Sequence, residues 1–275
     1  MNEEKLKKKE LKMMAKEEKK SLKRQMKENK KEYRKHEKVY IEEEKEEKKN
    51  SPIEIEKRRL NEAPKRSVLE EIGNSVSHGL GAIFGIVALV LMLLKSDTEM
   101  KITGSIVYGV SMIIMMLMSC LYHAWRHGLT VKRLWRRFDY CSIYLLIGGT
   151  FAPLQLVELG INEGQPMWAW IWFSIMWALI ITGITFVSIF GPGRTKWINF
   201  PLYFIIGWSG LAFLPGWWQY NQQVLWWTLG GGIVYSLGMI PFVLKKVPAA
   251  HFIFHLFVVA GAITQFVGIY TCVYM

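Results

Sequence analysis

Beyond residue 66 the sequence is short of charge. Residues 67–275 hold only 11 Lys and Arg and 7 Asp and Glu, whereas residues 1–66 hold 24 Lys and Arg and 16 Glu, a net charge of +8. A large soluble helical domain needs polar faces for water, and the near-continuous apolar runs of the second part leave none. The front of the chain lacks the opposite feature. It has no apolar run before residue 75, so residues 1–66 cannot bury a core of their own. The same absence removes the apolar core of a signal peptide, and the first apolar run is expected to act as an uncleaved anchor. Cysteine is scarce as well. Cys120, Cys141 and Cys272 cannot all pair internally, which excludes a disulfide framework and leaves them as reduced packing residues.

What is present is seven apolar runs. They cover roughly 75–94, 102–123, 139–157, 167–189, 198–214, 224–244 and 251–274, each near the ~20 residues that a membrane-crossing helix needs. The fold expected is an all-α integral membrane bundle of seven transmembrane helices. The loops orient it. Even-numbered loops carry Arg126, Lys132, Arg133, Arg136, Arg137, Arg194, Lys196, Lys245 and Lys246. Odd-numbered loops carry only Lys95 and Lys101, with Asp97, Glu99, Glu158 and Glu163. The N-terminus is therefore expected in the cytoplasm and the C-terminus outside. Trp168, Trp170, Trp217, Trp218, Trp226 and Trp227 fall where an outer aromatic belt would lie.

In such a bundle each polar residue needs a partner or a function. Glu71, Asn74 and His78 enter the first span. Ser119 and His123 end the second. Asp139 opens the third, and His251 and His255 open the seventh. Alternation of spans puts all of them at the cytoplasmic end. His251 and His255 are four apart, hence on one helical face, and so are Ser119 and His123. Three imidazoles and a water make a tetrahedral zinc site with an open position, with Asp139 placed to hold that water or orient a ligand. The plainer alternatives are a hydrogen-bonded helix contact for the HFIFH pair, and an interfacial His123 resembling His127. His36 lies in a charged run and is solvated.

The segments EEIGNSVSHGLG (70–81), SCLYH (119–123), FDYCSIYLLIGGTFAP (138–153) and HFIFHLFVVAGA (251–262) together resemble the haemolysin III family, the bacterial branch of the progestin and adipoQ receptor (PAQR) family. The resemblance covers residues 67–275. It implies seven spans and a zinc ion near the cytoplasmic face of the plasma membrane. It also implies kinship with membrane hydrolases such as the alkaline ceramidases. By matching motif, His123, His251 and His255 are the expected zinc ligands. Asp139 is the expected partner of the water on the ion, and Ser119 lies one turn before the first ligand. Glu71, Asn74 and His78 match the family's ExxNxxxH signature, which the resemblance implies lies around those ligands. Residues 1–66 depart from the family pattern as an added front segment.

That front segment reads as a Lys/Glu-rich cytoplasmic arm, partly helical or disordered. It has pairs such as Glu4 with Lys8, and a sparse seam of Ala15, Leu22, Met26, Tyr33 and Tyr40. Its charge suits anionic lipid headgroups. Interleaved Glu argues against a nucleic-acid partner. Three functions follow for the bundle: a zinc-dependent hydrolase of a lipid amide or ester affecting membrane lipid homeostasis, a membrane-stress sensor with structural zinc, or a cytolytic (haemolytic) pore. Polarity gathered at one end argues against the pore.

Overall fold

A computed structural model describes residues 3–243 and 247–275. Lys245 and Lys246, which contributed to the charge asymmetry, lie outside the described residues, and so do the side chains of Glu4, Lys8 and Ala15. The chain divides into two compact units, one ending at Arg59 and one of Leu60–Met275. The first unit is dominated by α1, Glu3–Asn50, one uninterrupted 48-residue helix. Lys and Glu rank among the better helix formers, which accounts for a continuous helix where only a partial one was expected. Its described side chains are exposed, Leu22, Met26, Tyr33 and Tyr40 among them. A second helix, α2, Pro52–Asn61, begins on Ser51, whose Oγ accepts from the Glu54 N–H at 3.3 Å.

The second unit contains seven helices long and apolar enough to cross a membrane, as the apolar runs require. They are α3 (Val68–Leu93), α4 (Glu99–Ala124), α5 (Thr130–Pro153) continuing as a π-helix (Leu154–Asn162), α6 (Pro166–Phe190), α7 (Pro192–Trp208) continuing through a 3-10 turn into α8 (Leu214–Tyr220), α9 (Gln222–Val243), and α10 (Ala250–Ile269) with a π-helical end (Tyr270–Tyr274). No strand occurs among the described residues. The boundaries follow local chemistry. Ser67 caps α3 by accepting from Glu70 N–H, and Thr98 caps α4 by accepting from Lys101 N–H. Both are side-chain caps of the preferred type. Pro166 and Pro192 sit at the first helical position of α6 and α7, where a missing N–H costs nothing. Gly191, with φ 81°, makes the turn between them.

The span formed by α5 and its π-helix is the innermost. Its apolar window is 72% buried, against 22% for α6. The α3–α4, α4–α5, α5–α6, α9–α10 and α10–α3 contacts close the bundle around it. Gly149 permits the α4–α5 approach, since a Cβ there would fall 2.5 Å from that of Ser111. Two sequence expectations change. Asp139 does not open its span but lies in the third turn of α5, because the helix extends back through Lys132, Arg133, Arg136 and Arg137. Lys132 and Arg136 are 1% and 7% exposed and find partners inside the protein rather than in solvent. Trp217 does not belong to an outer belt. It is 1% exposed and packs on Phe213, whereas Trp168, Trp170, Trp218, Trp226 and Trp227 are exposed.

Candidate metal centre

Because consecutive spans alternate, the start of α3, the end of α4, the start of α5 and the start of α10 share one end of the bundle. The sequence-predicted polar residues meet there. His123, His251 and His255 each direct one donor atom to a common point, and those atoms lie within 4.8 Å of one another. The Nε2 atoms of His251 and His123 are 3.3 Å apart, and those of His255 and His251 3.0 Å. A tetrahedral ion with bonds of roughly 2.0–2.1 Å needs donors about 3.3 Å apart, and these two spacings are near that value.

The proton inventory fits too. Glu71 Oε2 lies 2.5 Å from His123 Nδ1. A carboxylate only accepts, so the proton of His123 sits on Nδ1 and its Nε2 offers a lone pair. One N–H among the remaining rings can bridge only one pair of nitrogens. A shared cation satisfies all three. The chain's own geometry therefore suits a metal, and imidazole donors suit several transition ions, zinc among them.

The first-span signature acquires a role. Glu71 holds His123 by one oxygen and accepts from the ammonium of Lys132 at 2.8 Å by the other. Lys132 also donates to the Trp125 carbonyl at 2.8 Å. Asn74 presents its amide to the same His123 nitrogen at 3.3 Å. This is the carboxylate–histidine arrangement that orients metal-ligating imidazoles. His78 is not in the three-donor group. Its ring lies 4.0 Å from that of His255, centroid to centroid, it is 1% exposed, and neither ring nitrogen has a protein partner. Ser119 lies close to the Asp139 carboxylate, and both residues are buried. Cys120 is outside the donor group and instead contacts Ser75, and among the described residues all three cysteines are free.

His78, Ser119, Asp139, His251 and His255 line one end of a cavity of about 200 Å³. Its other walls are mainly apolar, and it reaches Gln265 on α10 and Trp217 on the opposite side. Fourteen residues of α10 separate His251 from Gln265, roughly 21 Å of helix at 1.5 Å per residue.

Several polar residues were not foreseen. Lys132 reads as a loop charge in the sequence but is the buried partner of Glu71. Gln155 and Glu158, in the π-helix at the far end, are 1% and 0% exposed. The apolar-run boundary at residue 157 placed Glu158 in a loop, and only the π-helical continuation brings it inside. Polarity is therefore not confined to one end, although the cavity between the ends is lined by groups such as Leu146, Phe151 and Leu154.

A family model described as Haemolysin-III related matches residues 66–266. The chain is 37% identical to "Hemolysin-3" of Bacillus cereus over 203 residues, covering 72% of this chain and 90% of that protein. It is 32% identical to "Hemolysin-3 homolog" of Bacillus subtilis (strain 168), covering 73% and 92%. It is 27% identical to human "Monocyte to macrophage differentiation factor", covering 76% and 87%. With seven apolar spans, the three-histidine cluster at one end and this match over most of its length, the chain is a multi-pass integral membrane protein that belongs to the haemolysin III family, within the wider progestin and adipoQ receptor family.

Proposed function

We propose that the protein is a zinc-dependent hydrolase of a lipid amide or ester. The observation that carries this reading is the convergence of three imidazole Nε2 atoms at the polar end of a deep, mainly apolar cavity. A zinc ion bound there would supply Lewis acidity toward a carbonyl and bring the pKa of a water toward about 7. The remaining roles fall to the chain. Glu71 holds His123 in one tautomer. Asp139, steadied by Ser119, is the base that takes a proton from water. The apolar walls exclude bulk water and hold an acyl chain. His78, with two buried ring nitrogens lacking protein partners, meets the polar group of the bound lipid. In this reading the histidine end faces the cytoplasm, and α1 lies against anionic headgroups.

The test is elemental mass spectrometry of detergent-purified protein, coupled to release of fatty acid from amide-linked and ester-linked lipids. About one zinc per chain with release is expected. Asp139→Asn should keep the zinc and lose release by roughly 10²–10⁴-fold, the usual contribution of a general base. Zinc-loaded protein that releases nothing from either lipid class would overturn the hydrolase.

A second reading has its own support. The Glu71–Lys132–His123 network joins α3, α4 and α5, and the histidines join α4 to α10. An ion there would be a clamp in a membrane-stress sensor. That reading requires Asp139→Asn to leave the cell's response to membrane stress unchanged.

A further inference from the structure

We propose that Arg66 and Arg136 form an anion subsite beside the three-histidine cluster, selecting lipids that carry a phosphate headgroup. The inference rests on the hydrolase reading for its lipid and on charge for its headgroup. Two of the acids at this end are already paired: Glu71 is shared by Lys132 and His123, and Glu62 pairs with Arg133 at 2.9 Å, which leaves Asp139 and Glu70. Among the described residues neither Arg66 nor Arg136 has a carboxylate partner. Arg66 is half-buried and donates only to the Tyr122 hydroxyl, at 3.3 Å. Arg136 donates to the Glu62 carbonyl at 2.9 Å and lies over the Tyr140 ring, 5.4 Å from its centroid.

Both guanidinium groups lie within electrostatic reach of the same three residues, Tyr122, Asp139 and His251. Tyr140 and Asp139 line the cavity, so Arg136 stands one side chain behind its wall. With a divalent ion at the histidines, these two cations leave a positive excess that Asp139 and Glu70 together do not balance. Most of their N–H donors are unused by the protein. A phosphate monoester matches this on two counts. It brings between one and two negative charges, and it accepts paired N–H donors from guanidinium groups. A neutral headgroup would leave the excess standing.

The test uses the full chain in non-ionic detergent. A neutral dansylated long-chain amide reports cavity occupancy by energy transfer from Trp208 and Trp217, which line the cavity. A lysophosphatidic acid and a monoacylglycerol of the same chain length then compete for it. The phosphate lipid should compete at least tenfold more strongly. Arg66→Gln/Arg136→Gln should abolish the difference and leave the monoacylglycerol unchanged. Arg126→Gln, at an exposed loop position, should preserve it. Zinc content equal to wild type verifies the folded cluster. If the double variant does not fold, Arg66→Gln alone, which removes one hydrogen bond, to Tyr122, should narrow the difference. Equal competition by the two lipids, or a difference that survives the arginine variants, would overturn the subsite.

Calorimetric titration with glycerol 3-phosphate and with inorganic phosphate separates the sources. Tighter glycerol 3-phosphate, lost in the arginine variants, supports a lipid headgroup. Inorganic phosphate binding as tightly assigns the site to free phosphate and overturns the lipid part. Should the dansyl probe itself fail to bind, the acyl-chain reading of the cavity falls. The titration then decides the subsite by itself: arginine-dependent glycerol 3-phosphate binding supports it, and no binding overturns it.

Discussion

The two ends of the bundle both bury polar side chains, but they treat them differently. At the histidine end several groups partner one another across four helices, although neither ring nitrogen of His78 has a protein partner. Glu71 satisfies Lys132 and His123 together, and three imidazole nitrogens converge on one point. At the π-helical end Glu158 accepts from Asn162 at 2.6 Å with one oxygen, while its other oxygen and both polar atoms of Gln155 have no protein partner. Burial of polar groups is common to both ends. Convergence of donors is found at one, and convergence is what a cation requires.

The largest expected effect removes the convergence. His251→Ala/His255→Ala should take bound metal from about one per chain to none by elemental mass spectrometry. Metal retained in that variant would place the ion elsewhere.

Next is the support behind His123. Glu71→Gln removes the charge opposite a Lys132 that is 1% exposed. Breaking a buried pair in this way costs about 3–5 kcal/mol, somewhat less here because Glu71 is 15% exposed. The apparent Tm in detergent should fall. Metal affinity should drop roughly 10–100-fold, as for other residues that orient a ligating histidine. An unchanged Tm would mean that Lys132 finds another acceptor.

The far end should respond in the opposite sense. Gln155→Leu replaces an amide without protein partners by an apolar group of similar size, a change that is nearly neutral or stabilising in such settings. A Tm loss comparable to that of Glu71→Gln would show that Gln155 holds a ligand, and the contrast between the ends would collapse.

The smallest effect is a pH dependence at Glu163, which follows the π-helix. Partial burial, with the nearby Glu158 carboxylate adding to it, pushes the Glu163 carboxyl up to about 7 from its ordinary 4.5. Between those values the folded state holds a proton that the unfolded state has released, so stability falls as pH rises from about 4.5 to about 7. Glu163→Gln should flatten that part of a Tm-against-pH profile. A profile identical to wild type would remove the carboxyl from the account.

Much of this was legible in the sequence. Apolar runs with almost no charge marked all seven spans, because hydrocarbon tolerates little else over that length. The four-residue spacing of His251 and His255, and of Ser119 and His123, put each pair on one face by helix geometry alone. Alternation of spans then gathered them at one end. The role of Glu71 was hidden because its partners, His123 and Lys132, are 52 and 61 residues away, and no local pattern encodes such a pairing. Lys132 looked like one more loop cation. Trp217 looked like its exposed neighbour Trp218, although consecutive helical residues point about 100° apart and only packing reveals which one turns inward. Glu158 fell outside a span until the π-helix carried α5 past Pro153.

By itself, then, the sequence determined what each stretch of chain tolerates: seven helices in a membrane, a charged front segment without a core of its own, and the histidines gathered at one end of the bundle. Only the tertiary structure decided which nitrogens meet, which lysine is buried, and which tryptophans line the cavity. The division has a physical reason. Hydrophobicity and helical periodicity are properties of neighbours along the chain, whereas a tautomer, an ion pair and a cavity wall depend on atoms brought together from distant helices.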